Sequence, residues 1–328
     1  AETGQVFFDS TNVDFKYQFP SVTTAGSWAS APALNTGRVE LKGAGTSTAA
    51  LMFGGDASPV VNNTELFNGT TFSEVNNLNT ARSLFGSAGA TNTAALAFGG
   101  HSPPVVAVTE TWNGTNWTEV NDLTTARQQL AGCGTNTAAV AFGGGTPSAT
   151  GKTETWNGTN WTEGNDMNTS RLLLAGSGIY TSALAYGGST GSVSAKTESW
   201  NGSSWTEVSD LNAGRYNWQG IGDSNTSALA AAGYTGTANS GLVELWNGTA
   251  WTETTNVSDD GNAYGAAGTA TSALISGGNG RSPNASSEQW TGAGVPIGAW
   301  STTNAMNAAR SVIGGFANST QTAALAFG

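Results

Sequence analysis

The chain has 328 residues, of which 46 are glycine, and charged residues make up 10% of it, against about 25% in typical soluble domains. A net charge of −11 with only 11 Lys and Arg argues against nucleic acid as a partner. Apolar content of 38% separates the chain from disordered segments, which combine low hydrophobicity with high charge. No apolar run approaches the roughly 20 residues of a membrane span. Cys133 is the only cysteine, so no intrachain disulfide can form.

The first of three recurring motifs is an apolar segment that ends in glycine. In one copy, Leu96 and Phe98 alternate with Ala95 and Ala97, which is the period of a strand. Seven copies stand at 48–55, 93–100, 137–144, 181–188, 226–233, 271–278 and 322–328.

The second motif is an aromatic residue followed ten positions later by arginine, and the third is Glu-x-aromatic before an Asn-Gly type of turn. The second motif occurs at Trp28/Arg38, Phe72/Arg82, Trp117/Arg127, Trp161/Arg171, Trp205/Arg215 and Trp300/Arg310, with Gly261 replacing the arginine after Trp251. The third occurs at Glu65/Phe67, Glu110/Trp112, Glu154/Trp156, Glu198/Trp200, Glu244/Trp246 and Glu288/Trp290. A period of about 44 to 46 residues indicates a propeller or a solenoid.

Each repeat is predicted to form four strands. The segment 82–90 is rich in small residues, which suits an inner strand near a crowded axis. The segments 108–112 and 116–120 flank Asn113-Gly114, a strong hairpin signal. We therefore expect one all-β domain over 1–328, a seven-bladed propeller in which N-terminal strands from residues near 6–30 complete the blade that begins at Arg310. The expected blades are 38–81, 82–126, 127–170, 171–214, 215–260, 261–309, and 310–328 together with 1–37.

The amino-acid sequences of the repeats resemble those of a known repeat family. Paired glycines after an apolar strand, then Glu-x-aromatic, then Trp, then an "NTAR" segment are similar to kelch repeats. The particular wording "TAALAFGG…TETWNGTNWTE" resembles kelch-like repeat proteins of marine bacteriophages, over residues 28–328. The resemblance implies a virion or tail component.

The recurring charged residues admit two interpretations. The arginines Arg38, Arg82, Arg127, Arg171, Arg215 and Arg310 and the glutamates Glu65, Glu110, Glu154, Glu198, Glu244 and Glu288 could form a binding ring. The favoured interpretation is structural, with each arginine bound to a third-strand glutamate or to backbone carbonyls. The recurring tryptophans could stack on sugars, but inter-blade packing is favoured because they recur on strands at blade spacing.

Catalysis is not expected. His101 is the only histidine and has no recurrent partner, so a loop position is favoured over a general base. Cys133 is expected to fill a small buried site. The copper-radical oxidases and sialidases among known propellers need residues that this chain lacks, and no cofactor or zinc site is predicted. Sequons such as Asn113 are favoured as hairpin turns over glycosylation sites.

One set of connections varies freely between repeats, and it is the link after the glycine pair. Loops on a rigid scaffold commonly carry recognition, so this face is the predicted binding face. Its candidate residues are Asp56, Ser58, His101, Ser102, Thr146, Ser148, Ser189, Thr190, Tyr234, Thr235, Asn279 and Arg281. We expect a structural or adhesive phage protein on the virion, whose partners are other virion proteins or a host-surface glycan or protein. A homo-oligomer stays open. The alternative is a secreted carbohydrate-binding propeller, and an enzyme around His101 is the third.

Overall fold

A computed structural model describes residues 6–9, 14–19, 26–216, 219–280, 284–292, 299–302, 314–315 and 326–327. The chain divides into two compact units. The larger unit is Ser27–Thr291, and the smaller one combines Ala1–Gly26 with Gly292–Gly328.

All of the regular elements described are β-strands. The first eleven are β1 (Val6–Asp9), β2 (Asp14–Phe19), β3 (Ser27–Ala31), β4 (Lys42–Gly45), β5 (Ala50–Phe53), β6 (Thr64–Phe67), β7 (Phe72–Val75), β8 (Gly86–Thr91), β9 (Ala94–Phe98), β10 (Thr109–Trp112) and β11 (Trp117–Val120). The next eight are β12 (Ala131–Gly134), β13 (Ala139–Phe142), β14 (Thr153–Trp156), β15 (Trp161–Glu163), β16 (Ala175–Ile179), β17 (Ser182–Tyr186), β18 (Thr197–Trp200) and β19 (Trp205–Val208). The last ten are β20 (Ile221–Ser224), β21 (Ser227–Tyr234), β22 (Asn239–Trp246), β23 (Trp251–Thr254), β24 (Gly265–Thr269), β25 (Ser272–Ser276), β26 (Ser287–Thr291), β27 (Ala299–Thr302), β28 (Gly314–Gly315) and β29 (Ala326–Phe327).

The larger unit consists of six antiparallel four-stranded sheets. In chain order the sheets are β4–β7, β8–β11, β12–β15, β16–β19, β20–β23, and β24–β26 with β3. The first strand of each sheet contacts the first strands of the two neighbouring sheets, and β24 contacts β4, so the ring is closed. The larger unit is a six-bladed β-propeller. In the smaller unit, β2 lies between β1 and β27, and β28 pairs with β29.

The prediction of four-stranded blades in an all-β propeller is confirmed, but the prediction of seven blades is wrong. The strand of Trp28 does not complete a blade begun at Arg310. It pairs with β26 as the outer strand of the sixth blade, with Trp28 opposite Trp290. The sixth blade therefore combines three strands from the C-terminal end of the larger unit, β24 to β26, with β3 from its N-terminal end. Arg310 lies outside the described residues, and so does most of the seventh apolar segment at 322–328.

Aromatic rings hold successive blades together. The outer-strand Trp161 packs on Phe98 of the preceding blade, with ring centroids 4.8 Å apart. The indole N–H of Trp161 donates to the Thr109 hydroxyl of the same preceding blade at 3.0 Å. Equivalent ring contacts are Phe53–Trp117, Phe142–Trp205 and Tyr186–Trp251. At these positions, the predicted packing of outer-strand tryptophans between blades is confirmed.

Inner strands need glycine where these aromatic rings approach. A Cβ on Gly132 would lie 2.3 Å from the Phe98 ring, and one on Gly176 would lie 2.4 Å from the Phe142 ring. Because real Cβ atoms do not come that close, larger residues at these two positions would push neighbouring blades apart. The high glycine content of the sequence is explained in part by this packing.

The "NDLTTAR" type of linker joins each outer strand to the next blade. Asn121 donates to Asn160 in the Asn-Gly turn of the next blade at 2.7 Å. The Asp122 carboxylate accepts the Thr109 backbone N–H of its own blade at 3.0 Å. Leu123 is buried, and the Thr124 backbone N–H binds Glu154 of the next blade at 2.7 Å. We attribute the recurrence of this linker sequence to the similar bonds that it makes between successive blades.

Candidate functional site

The variable links and the inter-blade linkers lie at the same end of the propeller, which we call the loop face. The Leu78 backbone N–H in a linker donates to Asn62 O in a variable link at 3.0 Å. The Asn62 side chain returns a bond to Leu78 O at 2.8 Å. The opposite end, which carries the short turns between first and second strands, is the turn face.

Six bridged residue pairs, one per blade, form a ring on the loop face. In blade order they are Val39/Asp56, Ser83/His101, Gln128/Gly145, Leu172/Ser189, Tyr216/Tyr234 and Asn262/Asn279. Five of the predicted binding residues belong to this ring, namely Asp56, His101, Ser189, Tyr234 and Asn279. The backbone is equivalent at each pair, whereas the side chains are acidic, basic, apolar, aromatic or amide. A symmetric backbone thus carries different side chains in each blade, of which Ser83, Gly145, Ser189 and Asn262 are buried.

The other predicted binding residues lie in the loops beyond this ring. Ser58, Thr146, Ser148 and Thr190 are exposed, and Ser102 and Thr235 are half-buried. The Asp56 carboxylate accepts the Ser58 backbone N–H at 2.6 Å, which fixes that loop. Arg281 lies outside the described residues.

An inner ring of residues in the left-handed conformation surrounds the propeller axis, and no sequence motif predicted it. Glu40, Leu84, Gln129, Leu173 and Ala263 have φ between 55° and 60°. The N–H of Gln129 donates to Leu84 O at 2.6 Å, and the N–H of Leu173 donates to Gln129 O at 2.9 Å. Residues with a Cβ rarely adopt this backbone conformation, because the Cβ comes too close to the following carbonyl oxygen. The hydrogen bonds between neighbouring blades hold it in place.

Two long side chains reach the axis beneath this inner ring. Lys42 and Gln219 each stand four residues after the arginine of their repeat, where the other four blades have Gly86, Ala131, Ala175 and Gly265. Gln219 accepts N–H bonds from Gly43 at 2.8 Å and Ala266 at 2.9 Å, and it donates to Gly43 O at 2.7 Å. One side chain of the fifth blade therefore links the first and sixth blades across the axis.

Lys42 is almost fully buried, with 5% of its surface exposed. It lies beside a small cavity that Leu84, Gln129 and Leu173 also line. Burial lowers the pKa of Lys42 to about 7, and the Glu40 carboxylate partly offsets this effect. Burial also raises the pKa of Glu40. Near the axis, the loop face thus contains an acid whose pKa is raised and an amine whose pKa is lowered.

A second axial cavity, of about 70 Å³, lies between the inner strands. Glycine, alanine and serine make up most of its lining, and Gln219 and Cys133 contribute to it. The buried Ser177 side chain also lines it. Burial raises the pKa of the Cys133 thiol, so this cysteine is a poor nucleophile at neutral pH.

The predicted charged positions lie inside the blades. The structure forms the ion pairs Arg38–Glu65, Arg82–Glu110, Arg127–Glu154, Arg171–Glu198 and Arg215–Glu244. Their side chains are at most 1% exposed. Glu288, whose repeat has Gly261 in place of arginine, is also buried and accepts the Ser258 backbone N–H at 2.9 Å. This burial favours the structural interpretation over a charged binding ring.

Among the described residues, no set of three His, Cys, Asp or Glu side chains is placed to hold a metal ion. His101 is half-buried, and its ring makes no hydrogen bond to another described residue. In the same part of the chain, no helix is long and apolar enough to cross a membrane.

Comparison with known proteins adds no family assignment. No family model matches the sequence, and no curated protein matches it at a significant level. The kelch and phage resemblance therefore depends on the motif wording alone, while the six-bladed propeller is established by the structure.

Proposed function

We propose that this protein is a non-catalytic recognition module that binds its partner through the loop face. The observation that carries the proposal is the contrast at the six bridged pairs, where one backbone geometry holds six different side-chain combinations. If these positions served only to support the fold, we would expect the same residue types in every blade, as at the buried Arg–Glu pairs. Because backbone bridges hold the loops, little entropy is lost when they bind.

The motif resemblance supports a place on a phage particle, in the tail or associated with the capsid. There the loop face would meet a host surface or a neighbouring virion protein. That the repeats are of the kelch type is part of the same proposal, because it depends on the same motif resemblance. A secreted carbohydrate-binding propeller is the second candidate, and the half-exposed pair Tyr216 and Tyr234 favours it.

Whether the protein is part of a phage particle is tested with material from its native source. Particles are purified, the chain is located by mass spectrometry, and antibody-labelled particles are viewed by electron microscopy. Label on a tail or capsid supports the virion proposal. Chain found only in the particle-free supernatant contradicts it and favours the secreted alternative.

The use of the loop face is tested with a bulky label on one face at a time. Thr190→Cys places a thiol on the loop face and Thr181→Cys places one on the turn face, and both positions are exposed. The native Cys133 is buried with a raised pKa, so unsubstituted protein should take up little of a large maleimide. We expect label at residue 190 to abolish binding to cells from the native source, and label at 181 to leave it unchanged. Equal binding by both labelled proteins would contradict the proposal.

A further inference from the structure

The fifth blade carries an extension that the other blades lack. Its second and third strands, β21 and β22, have eight residues each, against four or five in the other five blades. The Thr235 N–H closes the hairpin with a 3.0 Å bond to Ala238 O. Gly236, with φ of 94°, supplies the left-handed turn residue. A hairpin with a β-bulge at Ala232 thus extends the sheet at the loop face.

Two tyrosines stack beside the turn of this hairpin. Tyr216 N–H donates to Tyr234 O at 2.8 Å, and Tyr234 N–H donates back to Tyr216 O at 3.1 Å. Their ring centroids are 5.8 Å apart with an interplanar angle of 28°. Both residues are half-buried, so part of each side chain faces solvent. Among the six bridged pairs described, this is the one in which both members are aromatic.

Asn239 and Asn279 continue the same surface toward the sixth blade, and the buried Asn262 lies beside them. Asn239 lies opposite Tyr234 in the hairpin. The Asn262 amide donates to the Asn239 side-chain oxygen at 2.5 Å. Asn239 in turn approaches Asn279 O at 3.5 Å, and Asn279 is exposed. The Asn239 amide is therefore held between the Asn262 side chain and the Asn279 backbone carbonyl, which orients it.

We propose that Tyr216, Tyr234, Asn239 and Asn279 form a subsite for a neutral sugar, with the buried Asn262 holding Asn239 in place. The apolar C–H face of a pyranose would pack on a tyrosine ring, which combines an apolar face with a polar end. Hydroxyl groups both donate and accept hydrogen bonds, as amide side chains do. These five residues carry no charge, and the net charge of −11 disfavours acidic saccharides. The inference depends on the proposed recognition function and names the ligand class for it.

The test uses an array of neutral mono- and oligosaccharides, followed by titration calorimetry with any sugar that binds. Tyr234→Ala and Tyr216→Ala should each weaken binding at least about tenfold, which corresponds to about 1.4 kcal/mol. Tyr234→Phe keeps the ring and should keep most of the affinity. Tyr180→Ala is the matched control, because Tyr180 is 41% exposed on the turn face. If an alanine variant unfolds, Tyr234→Ser replaces it, since Ser189 occupies the equivalent position in the fourth blade.

Each outcome separates this inference from the proposed function. Loss of sugar binding in the Tyr216 and Tyr234 variants but not in Tyr180→Ala supports the subsite. Sugar binding that survives both tyrosine substitutions, or that Tyr180→Ala also removes, overturns it. Binding to native cells through the loop face without binding to any neutral sugar also overturns the subsite, but leaves the recognition function standing. Failure of loop-face binding in the labelling experiment counts against the recognition function itself.

Discussion

Trp28 lies directly opposite Trp290 in an antiparallel strand pair, with the two ring centroids 5.2 Å apart. The same register joins Trp112 to Trp117 and Trp200 to Trp205 within continuous blades. In the sixth blade, however, the two partners come from opposite ends of the larger unit. This pair therefore closes the ring, and none of the strands described after Thr291 pairs with the sheets of the ring.

Removing the Trp28 side chain should weaken this closure. We expect Trp28→Ala to lower the free energy of unfolding by about 3 kcal/mol, the lower end for loss of a large aromatic side chain, because Trp28 is only half-buried. Trp300→Ala is the matched control, since a seven-bladed ring would need Trp300 as an outer-strand residue. Urea unfolding followed by circular dichroism measures both. Equal destabilisation of the main transition by the two substitutions would argue against closure through Trp28.

Most of the fold follows from the repeat pattern. The alternation of Leu96 and Phe98 with small residues predicted a strand, and Asn113-Gly114 predicted a hairpin turn, as the structure has them. The number of blades could not be counted from motifs. Both Trp28 and Trp300 match the outer-strand motif, and the sequence alone does not say which one pairs with Trp290. That choice depends on a contact between residues far apart in the chain.

The candidate site was predictable in outline but not in its central part. Variation after the glycine pairs located the loop face, and five residues of the bridged ring were named from it. The left-handed conformation of Leu84 and Leu173 has no sequence signal, because leucine does not favour it. Lys42 and Gln219 did carry one, since each replaces a small residue found in the four other repeats. Alignment of that single position would have found them.

Removing one partner of a buried Arg–Glu pair should be costly. Arg82→Met leaves the Glu110 carboxylate buried, and such a loss costs about 3–5 kcal/mol. Glu110→Ala should cost at least as much, because Glu110 also accepts the backbone N–H groups of Asn79 and Thr80. A double-mutant cycle by chemical denaturation measures the coupling. A coupling energy near zero would show that the pair contributes nothing beyond its separate members.

The stability of the protein should rise with pH above neutrality because of Lys42. Its pKa is about 7 when folded and about 10.4 when unfolded, so the unfolded chain binds more protons between these values. Stability then increases with pH across that window, and below it both states are protonated and the slope disappears. From pH of about 7 to about 8.5 the gain is at most about 2 kcal/mol.

Urea unfolding at these two pH values measures the Lys42 effect. Lys42→Met should remove the slope. Lys196→Met, at an exposed pair with Glu207, should leave it unchanged. The window ends at about pH 8.5 because an unfolded cysteine ionises there, whereas burial raises the pKa of Cys133 when folded, an effect of opposite sign. The same slope in Lys42→Met as in unsubstituted protein would mean that another group produces it.

The inner ring should become more stable when a left-handed residue is replaced by glycine. Gln129 has φ of 58°, a conformation that costs about 1–2 kcal/mol for a residue with a Cβ. Glycine removes that cost but adds about 0.4–1 kcal/mol of unfolded-state entropy, so Gln129→Gly should gain up to about 1.6 kcal/mol. The adjacent Gln128→Gly is the control, because Gln128 has no left-handed conformation to relieve and should lose about 0.5–1 kcal/mol. Thermal unfolding of both variants measures the difference, and an equal loss in the two would mean that the hydrogen bonds between blades already offset the strain at Gln129.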